Sequence, residues 1–318
     1  MSKGTYAIAL HGGAGTLLRE QMSSEREAAY RTDLLAALSA GEKVLKAGGS
    51  ALNAVIETVV VLEDSPLFNA GHGAVFTHEG RHELDASLME GTYRKAGAVC
   101  AVKHIANPIR LCRKVMDSDF VMLNGEGAEE YARESGFEMI SNRSFSTDFR
   151  REQLIQAQKA GRVQLDHSDN RDKYGTVGAV ALDKNGRLAA ATSTGGMTNK
   201  RYGRIGDSAL IGSGTWADDR TCAISATGYG EFFIRNSVAS RIASMMQYGG
   251  LSLERAAHIM IDEEVLESGG DGGIVAIDKE GNIIMPFNSQ GMYRAWVKEG
   301  EPQYSAIFKT DALTDEVR

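Results

Sequence analysis

The chain has 318 residues, 42% of them hydrophobic and 24% charged, with a formal net charge of −7. These values describe a soluble globular protein with ample core, and the acidity argues against a nucleic-acid-binding surface. Three scattered cysteines (Cys100, Cys112, Cys222) without a C-x-x-C argue against a disulfide framework or thiolate zinc site; with no signal peptide and no apolar run of about 18 residues, they point to the cytoplasm and no membrane contact.

The predicted elements begin with a strand over 6–10 that runs into His11-Gly12-Gly13. A capping box, Ser24-x-x-Glu27, opens a helix that reaches about Ala47 and stops at Gly48-Gly49. A second helix covers 50–63, with Leu52, Val55, Ile56, Val59 and Leu62 on one face, and Pro66 ends it. Strands follow at 73–76 and 82–88 around a His78-Glu79-Gly80 turn, then at 98–102; helices follow at 108–116, 126–134 and 148–159. From 161 to 175 the stretch GRVQLDHSDNRDKYG has no apolar period and reads as a mobile linker. Beyond it, 176–183 and 187–194 form a hairpin about Lys184-Asn185-Gly186, a pattern repeated at 273–278 and 282–287. Between the two hairpins lie a strand at 221–227 and amphipathic helices at 231–247 and 252–267. Strands grouped with helices in this way indicate an α+β fold, two stacked sheets with helices over both outer faces.

The chain holds 36 glycines against four prolines, and many glycines are clustered at strand ends, where close backbone approach is needed. Several chemistries fail on spacing. His78 and His82 flank a turn with no third ligand nearby; Gly12-Gly13-Ala14-Gly15 lacks the phosphate-loop lysine; no G-x-S-x-G occurs, and Ser213 between glycines reads as a turn. Three threonines remain beside glycine at strand edges: Thr176 after Gly175, Thr194 before Gly195, and Thr227 before Gly228. Arg204 and Asp207 stand three apart in a Gly-rich loop. They are either a surface ion pair or a clamp for the carboxylate and ammonium of an amino acid.

The segments HGGAG (11–15), PLFNAGHGAVF (66–76), GTVG (175–178), TSTGGMTNKRYGRIGDS (192–208) and TGYGE (227–231), in this order, resemble the plant-type L-asparaginases, which are also isoaspartyl peptidases. These belong to the N-terminal-nucleophile hydrolase superfamily, and the bacterial isoaspartyl peptidases are the most similar members. The resemblance implies a single four-layer αββα sandwich over residues 1–318. It also implies self-cleavage between Gly175 and Thr176 into an α subunit, 1–175, and a β subunit, 176–318, assembled as (αβ)₂. The small-molecule substrates would be isoaspartyl dipeptides and L-asparagine. Thr176 would be the nucleophile, oriented by Thr194, with Thr227 and the Gly228 N–H as oxyanion hole. Arg204 and Asp207 would take the substrate α-groups, and Asn69 would support the site from behind.

No catalytic cofactor is implied. A structural sodium ion would be held by backbone carbonyls of Leu62, Glu63, Ser65, Phe68, Ala70 and His72; some relatives carry Cys and Ile where Ser65 and His72 stand. The competing readings are a glycosylasparaginase-like amidohydrolase and an amino-acid-binding protein that keeps the clamp but never matures.

Overall fold

A computed structural model describes residues 4–15, 17–161 and 175–311, so the expected linker, apart from its end residues Gly161 and Gly175, lies outside the described residues. The first half comprises β1 (Ala7–Gly15), α1 (Ser24–Lys46), α2 (Ala51–Asp64), β2 (Leu84–Glu90), β3 (Ala96–Val102) and α3 (Pro108–Met116). β4 (Met122–Asn124), α4 (Gly125–Glu134) and α5 (Asp148–Lys159) complete it. The second half runs β5 (Val177–Leu182), β6 (Leu188–Thr194), β7 (Thr215–Ala217), β8 (Cys222–Gly228), α6 (Gly230–Asn236), α7 (Val238–Gly249) and α8 (Leu253–His258). It ends with β9 (Gly272–Asp278), β10 (Ile283–Ile284), β11 (Gly291–Lys298) and β12 (Tyr304–Phe308).

Among the described residues, eight strands form one sheet in the order β12-β11-β1-β5-β6-β2-β3-β4, and four form another in the order β10-β9-β8-β7. Three apolar layers fix the stacking. Leu34, Leu38, Val55 and Val59 from α1 and α2 pack with Ile8, Leu10 and Val177 on the outer face of the large sheet. Ala9, Val180, Leu188, Val275 and Trp296 fill the space between the sheets. Ile224 and Ile274 meet Phe233, Ile242 and Met260 on the far side. The result is the expected α+β arrangement of helices, sheet, sheet and helices. Among the described residues no helix is long and apolar enough to cross a membrane.

Strand alternation decides what reaches the middle layer. Ile8 and Leu10 face the helices, so Ala7, Ala9 and His11 face the second sheet. By the same parity Thr176 and Gly178 of the β5 strand line, Thr192 and Thr194 of β6, Ser87 of β2, and Ser225 and Thr227 of β8 all point inward. The inter-sheet layer is apolar at one end and hydroxyl-rich at the other.

Several predicted boundaries shift. The helix expected from a Ser24 cap begins at Ser24, because Ser23 is the cap, its Oγ accepting from Arg26 N–H. The strand expected at 73–76 is absent: Gly71 and Gly73 hold positive φ angles of 47° and 103° in a turn at 71–73, and 74–76 follow it as irregular chain. The helix at 231–247 is two helices broken at Ser237, whose φ is 47°. The helix at 252–267 widens to a π-helix over Ile259–Val265, where Asn288 Nδ2 donates to Ile261 O at 2.9 Å. The second hairpin is short: its return strand holds only residues 283 and 284 before Pro286.

Candidate active site

The hydroxyl-rich end of the middle layer begins with a bulge. The β1–β11 register slips between His11 and Gly13, and Gly13 takes φ 115°. A side chain there would come within 2.7 Å of Gly175 N, so only glycine lets the Gly175–Thr176 peptide lie against β1. Across β5, His11 pairs with Gly178, and a methyl group on Gly178 would overlap Ser225 Oγ and sit 2.6 Å from His11 Nε2. The imidazole occupies the volume that this glycine leaves.

His11 is fully buried, and burial pushes its pKa down to about 3 against the opposing pull of its bond to Thr176 O. It is therefore neutral, and its partners fix the tautomer. Nδ1–H donates to Thr176 O at 3.0 Å, so Nε2 accepts from the Ser225 hydroxyl at 2.9 Å. With Ser225's one hydrogen committed, the 2.7 Å contact to Thr192 must be donated by Thr192, whose own oxygen meets Thr215 Oγ1 at 2.5 Å. A buried polar chain thus ties the first residue of the β5 line to both sheets.

Thr176 itself is 6% exposed, and its Oγ1 lies 3.1 Å from Ser208 Oγ. Thr227 Oγ1 accepts from Ala14 N–H at 3.2 Å and would be 2.8 Å from a Cβ on Gly175. The Thr227 hydroxyl and the Gly175 backbone are thus neighbours. Gly228 has φ 152° and packs against Gly272, whose Cα would lie 2.6 Å from a Gly228 Cβ. The Val177–Ser193 register, continued by one residue, sets Thr194 opposite Thr176. The Thr194 hydroxyl, however, accepts from Gly196 N–H at 3.0 Å. Asn69 braces this turn: Nδ2 donates to Gly196 O (2.7 Å), its carbonyl accepts from Gly195 N–H (3.0 Å), and Oδ1 accepts from Val75 N–H (2.9 Å).

Arg204 and Asp207 come together under Gly230, whose absent Cβ would be 2.7 Å from Asp207 Oδ1 and 3.0 Å from Arg204 Nη2. Glu231 grips Arg204 side-on, accepting from Nε at 2.9 Å and Nη2 at 2.7 Å. Burial works against the Glu231 carboxylate, but this guanidinium holds its pKa below the ordinary value. Asp207 is 2% exposed, and desolvation raises its pKa to about 7, with Arg204 pulling the other way. Its Oδ2 is buried without a hydrogen-bond partner among the described residues. A carboxylate oxygen left so is an acceptor awaiting a donor.

The loop after α2 collects carbonyl oxygens. Leu62 O has no helical N–H partner because residue 66 is proline, while Glu63 O accepts from His72 N–H at 2.7 Å. A Cβ on Gly73 would lie 2.6 Å from Pro66 O and 2.7 Å from Phe68 O. His72 turns its Nδ1 toward Asp64 O at 3.3 Å, and Ser65 Oγ donates to Asp33 at 2.6 Å. Oxygen donors at the negative end of a helix suit a hard cation. Among the described residues no group of three His, Cys, Asp or Glu side chains forms a metal site.

Sequence reading missed His11, Ser208, Ser225 and Glu231 as individual participants. Three of them stood in segments it had quoted: His11 opens HGGAG, Ser208 closes the run 192–208 behind Asp207, and Glu231 closes TGYGE.

The family model described as Asparaginase matches residues 4–307. An isoaspartyl peptidase of Escherichia coli (strain K12) is 52% identical over 311 residues, covering 96% of this chain and 97% of its own length. An isoaspartyl peptidase of Salmonella typhimurium is 51% identical, covering 95% and 98%. A probable isoaspartyl peptidase/L-asparaginase of Arabidopsis thaliana is 37% identical, covering 93% and 97%.

Proposed function

The chain belongs to the asparaginase family, and from that footing we propose that it hydrolyses isoaspartyl peptides and L-asparagine with an N-terminal threonine, Thr176, freed by its own cleavage. The observation that carries this reading is the setting of the Gly175–Thr176 bond. The Thr176 hydroxyl is buried beside the Asp207–Ser208 turn, and the Thr227 hydroxyl lies against Gly175.

A threonine hydroxyl is a weak nucleophile at neutral pH and needs an adjacent base. In the uncut chain, Thr176 Oγ1 attacks the Gly175 carbonyl carbon. The C–N bond breaks as the new ester C–O bond forms, and water then hydrolyses the ester. This frees an α-amino group whose ordinary pKa is about 7.7–8.0, close to working pH. That amine takes the Oγ1 proton when Thr176 attacks the β-carbonyl of substrate. Collapse of the tetrahedral intermediate expels ammonia or the peptide amine, which carries the proton away, and water releases aspartate.

Thr227 and the Gly228 N–H are suited to receive the developing oxyanion, and such a donor contributes about 3–4 kcal/mol. Arg204 uses Nε and Nη2 on Glu231 and keeps Nη1 for the substrate carboxylate, while the unpartnered Asp207 Oδ2 suits its ammonium. Isoaspartyl peptides and asparagine share these free α-groups, so one clamp can read both. Thr194 and Asn69 support the site from the β6 end. A sodium ion on the carbonyls of Leu62, Glu63, Ser65, Phe68, Ala70 and His72 would supply rigidity to that loop and through Asn69 to Gly195–Gly196. We further propose an (αβ)₂ assembly in the cytoplasm, in keeping with three free thiols.

On a denaturing gel the purified protein should give two bands, of 175 and 318 − 175 = 143 residues, the smaller starting at Thr176. Thr176→Ala should stay intact and inactive; asparagine turnover by that variant would refute the assignment.

A further inference from the structure

Ser208 has no role in the steps above, yet its hydroxyl lies 3.1 Å from the hydroxyl that performs them. It is 1% exposed, and among the described residues its Oγ has only Thr176 Oγ1 as a hydrogen-bond partner. Its backbone is held by other means. Ser208 O accepts from Ser87 Oγ at 2.6 Å, Asp207 O accepts from Leu210 N–H at 2.8 Å, and Gly214 packs so closely that a Cβ there would be 3.0 Å from Ser208 Cα. The side chain is thus a single hydroxyl presented by a turn that does not depend on it.

Thr176 is β-branched and has three staggered choices for χ1. In a buried setting the well that pairs its hydroxyl is favoured, because an unpaired buried O–H is costly. The Ser208 contact selects the well in which Oγ1 faces the turn that carries Asp207. Once the α-amine draws the Thr176 proton, the Ser208 hydrogen is left free to point at Oγ1. A hydrogen bond to an oxygen gaining negative charge is stronger than one to a neutral hydroxyl, so it favours the transition state over the ground state.

We propose that Ser208 is a further catalytic residue: its hydroxyl sets the rotamer of Thr176 and donates a hydrogen bond to Oγ1 during attack. This rests on Thr176 being the nucleophile. Ser208 transfers no proton. The Oγ1–C bond forms, the Oγ1 proton goes to the α-amine and then to the leaving amine, and Ser208 keeps its own hydrogen throughout. Because Asp207 and Ser208 are consecutive, the residue that takes the substrate ammonium and the one that aims the nucleophile move as one piece.

The test compares wild type, Ser208→Ala, Ser208→Cys and Ser208→Thr on β-aspartyl-leucine, with L-aspartate binding measured by calorimetry. In S208A and S208C, kcat should fall by roughly 10- to 100-fold, the worth of a hydrogen bond to a charged group. KM, L-aspartate affinity and the shape of the pH profile should stay within about twofold of wild type, because neither the clamp nor the base is touched. S208T, which keeps the hydroxyl, should retain most of kcat. Slower appearance of the Thr176 fragment in S208A, with an unchanged urea midpoint, supports the same role, since the same oxygen attacks Gly175. Undiminished kcat in S208A, or in S208C should S208A not fold, overturns the proposal. So does a parallel loss of L-aspartate affinity, which would make Ser208 a brace for Asp207. A wild-type protein without β-aspartyl hydrolysis would instead refute the nucleophile assignment itself.

Discussion

Asp207→Asn should make the protein more stable, and increasingly so as the pH rises. The Asp207 carboxyl has its pKa raised from 3.8 to about 7, chiefly because burial penalises its charge, and one of its oxygens has no partner among the described residues. The folded state therefore holds the proton more tightly than the unfolded chain. Between these two pKa values folding binds a proton, so wild-type stability declines as pH rises through the window and levels off above about 7. Asparagine has nearly the same shape and does not titrate. From pH 5 to the folded pKa is about two units at 1.36 kcal/mol each, so the stability gap between D207N and wild type should widen by about 3 kcal/mol between pH 5 and pH 8. Both proteins are best compared in a Thr176→Ala background, so that each remains one chain, by urea unfolding at the two pH values with slopes checked for equality. His11 titrates alike in both and cancels. D207N should also lose L-aspartate binding, as expected of a strained group kept for a ligand. A gap that stays constant, or narrows, between pH 5 and pH 8 would refute the argument that Asp207 is a charge buried for the substrate's benefit.

Gly178→Ala should destabilise the fold by about 1–3 kcal/mol, since the added methyl overlaps Ser225 Oγ and crowds His11; an unchanged urea midpoint would show that the imidazole can move aside. Glu231→Gln should raise KM for β-aspartyl substrates by roughly tenfold with a smaller effect on kcat, through the lost bidentate grip on Arg204. A fall in KM would instead mark Glu231 as a competitor for the same donors. Replacing sodium with choline at constant ionic strength should lower the thermal midpoint by a few degrees through loss of bound-ion linkage. Identical midpoints would leave the carbonyl loop without a sodium ion.

The first-half helices were legible because α1, α2 and α5 open on a serine or threonine cap and α3 on Pro108; α1 and α2 begin within a residue of the expected positions. β11 and β12 were missed because the predicted elements stopped at 287, although GMYRAWVK is buried along almost its whole length. Such a strand lacks the polar alternation that flags a half-exposed one. The break at Ser237 and the π-helix at 259–265 have no glycine or proline to announce them, being imposed by packing. In the site, threonine beside glycine and an Arg/Asp pair were visible as local patterns. Ser208 beside Thr176, and His11 beneath Ser225, are contacts across 32 and 214 residues of sequence, which no local pattern carries.

The strand order of the large sheet would give the proposed cut at 175–176 an unusual character. β1, from the first fragment, is flanked by β11 and β5, both from the second, and β2 of the first fragment pairs with β6 of the second. The two pieces are interleaved like the fingers of clasped hands. Scission there would free a chain end without freeing a chain, since pulling the pieces apart would unzip three ladders at once. Native sizing should therefore see no difference between cut and uncut protein. By the same weave, the two pieces made as separate polypeptides should assemble only when folded together. A permuted gene opening on residue 176 would then supply the amine directly, with maturation bypassed.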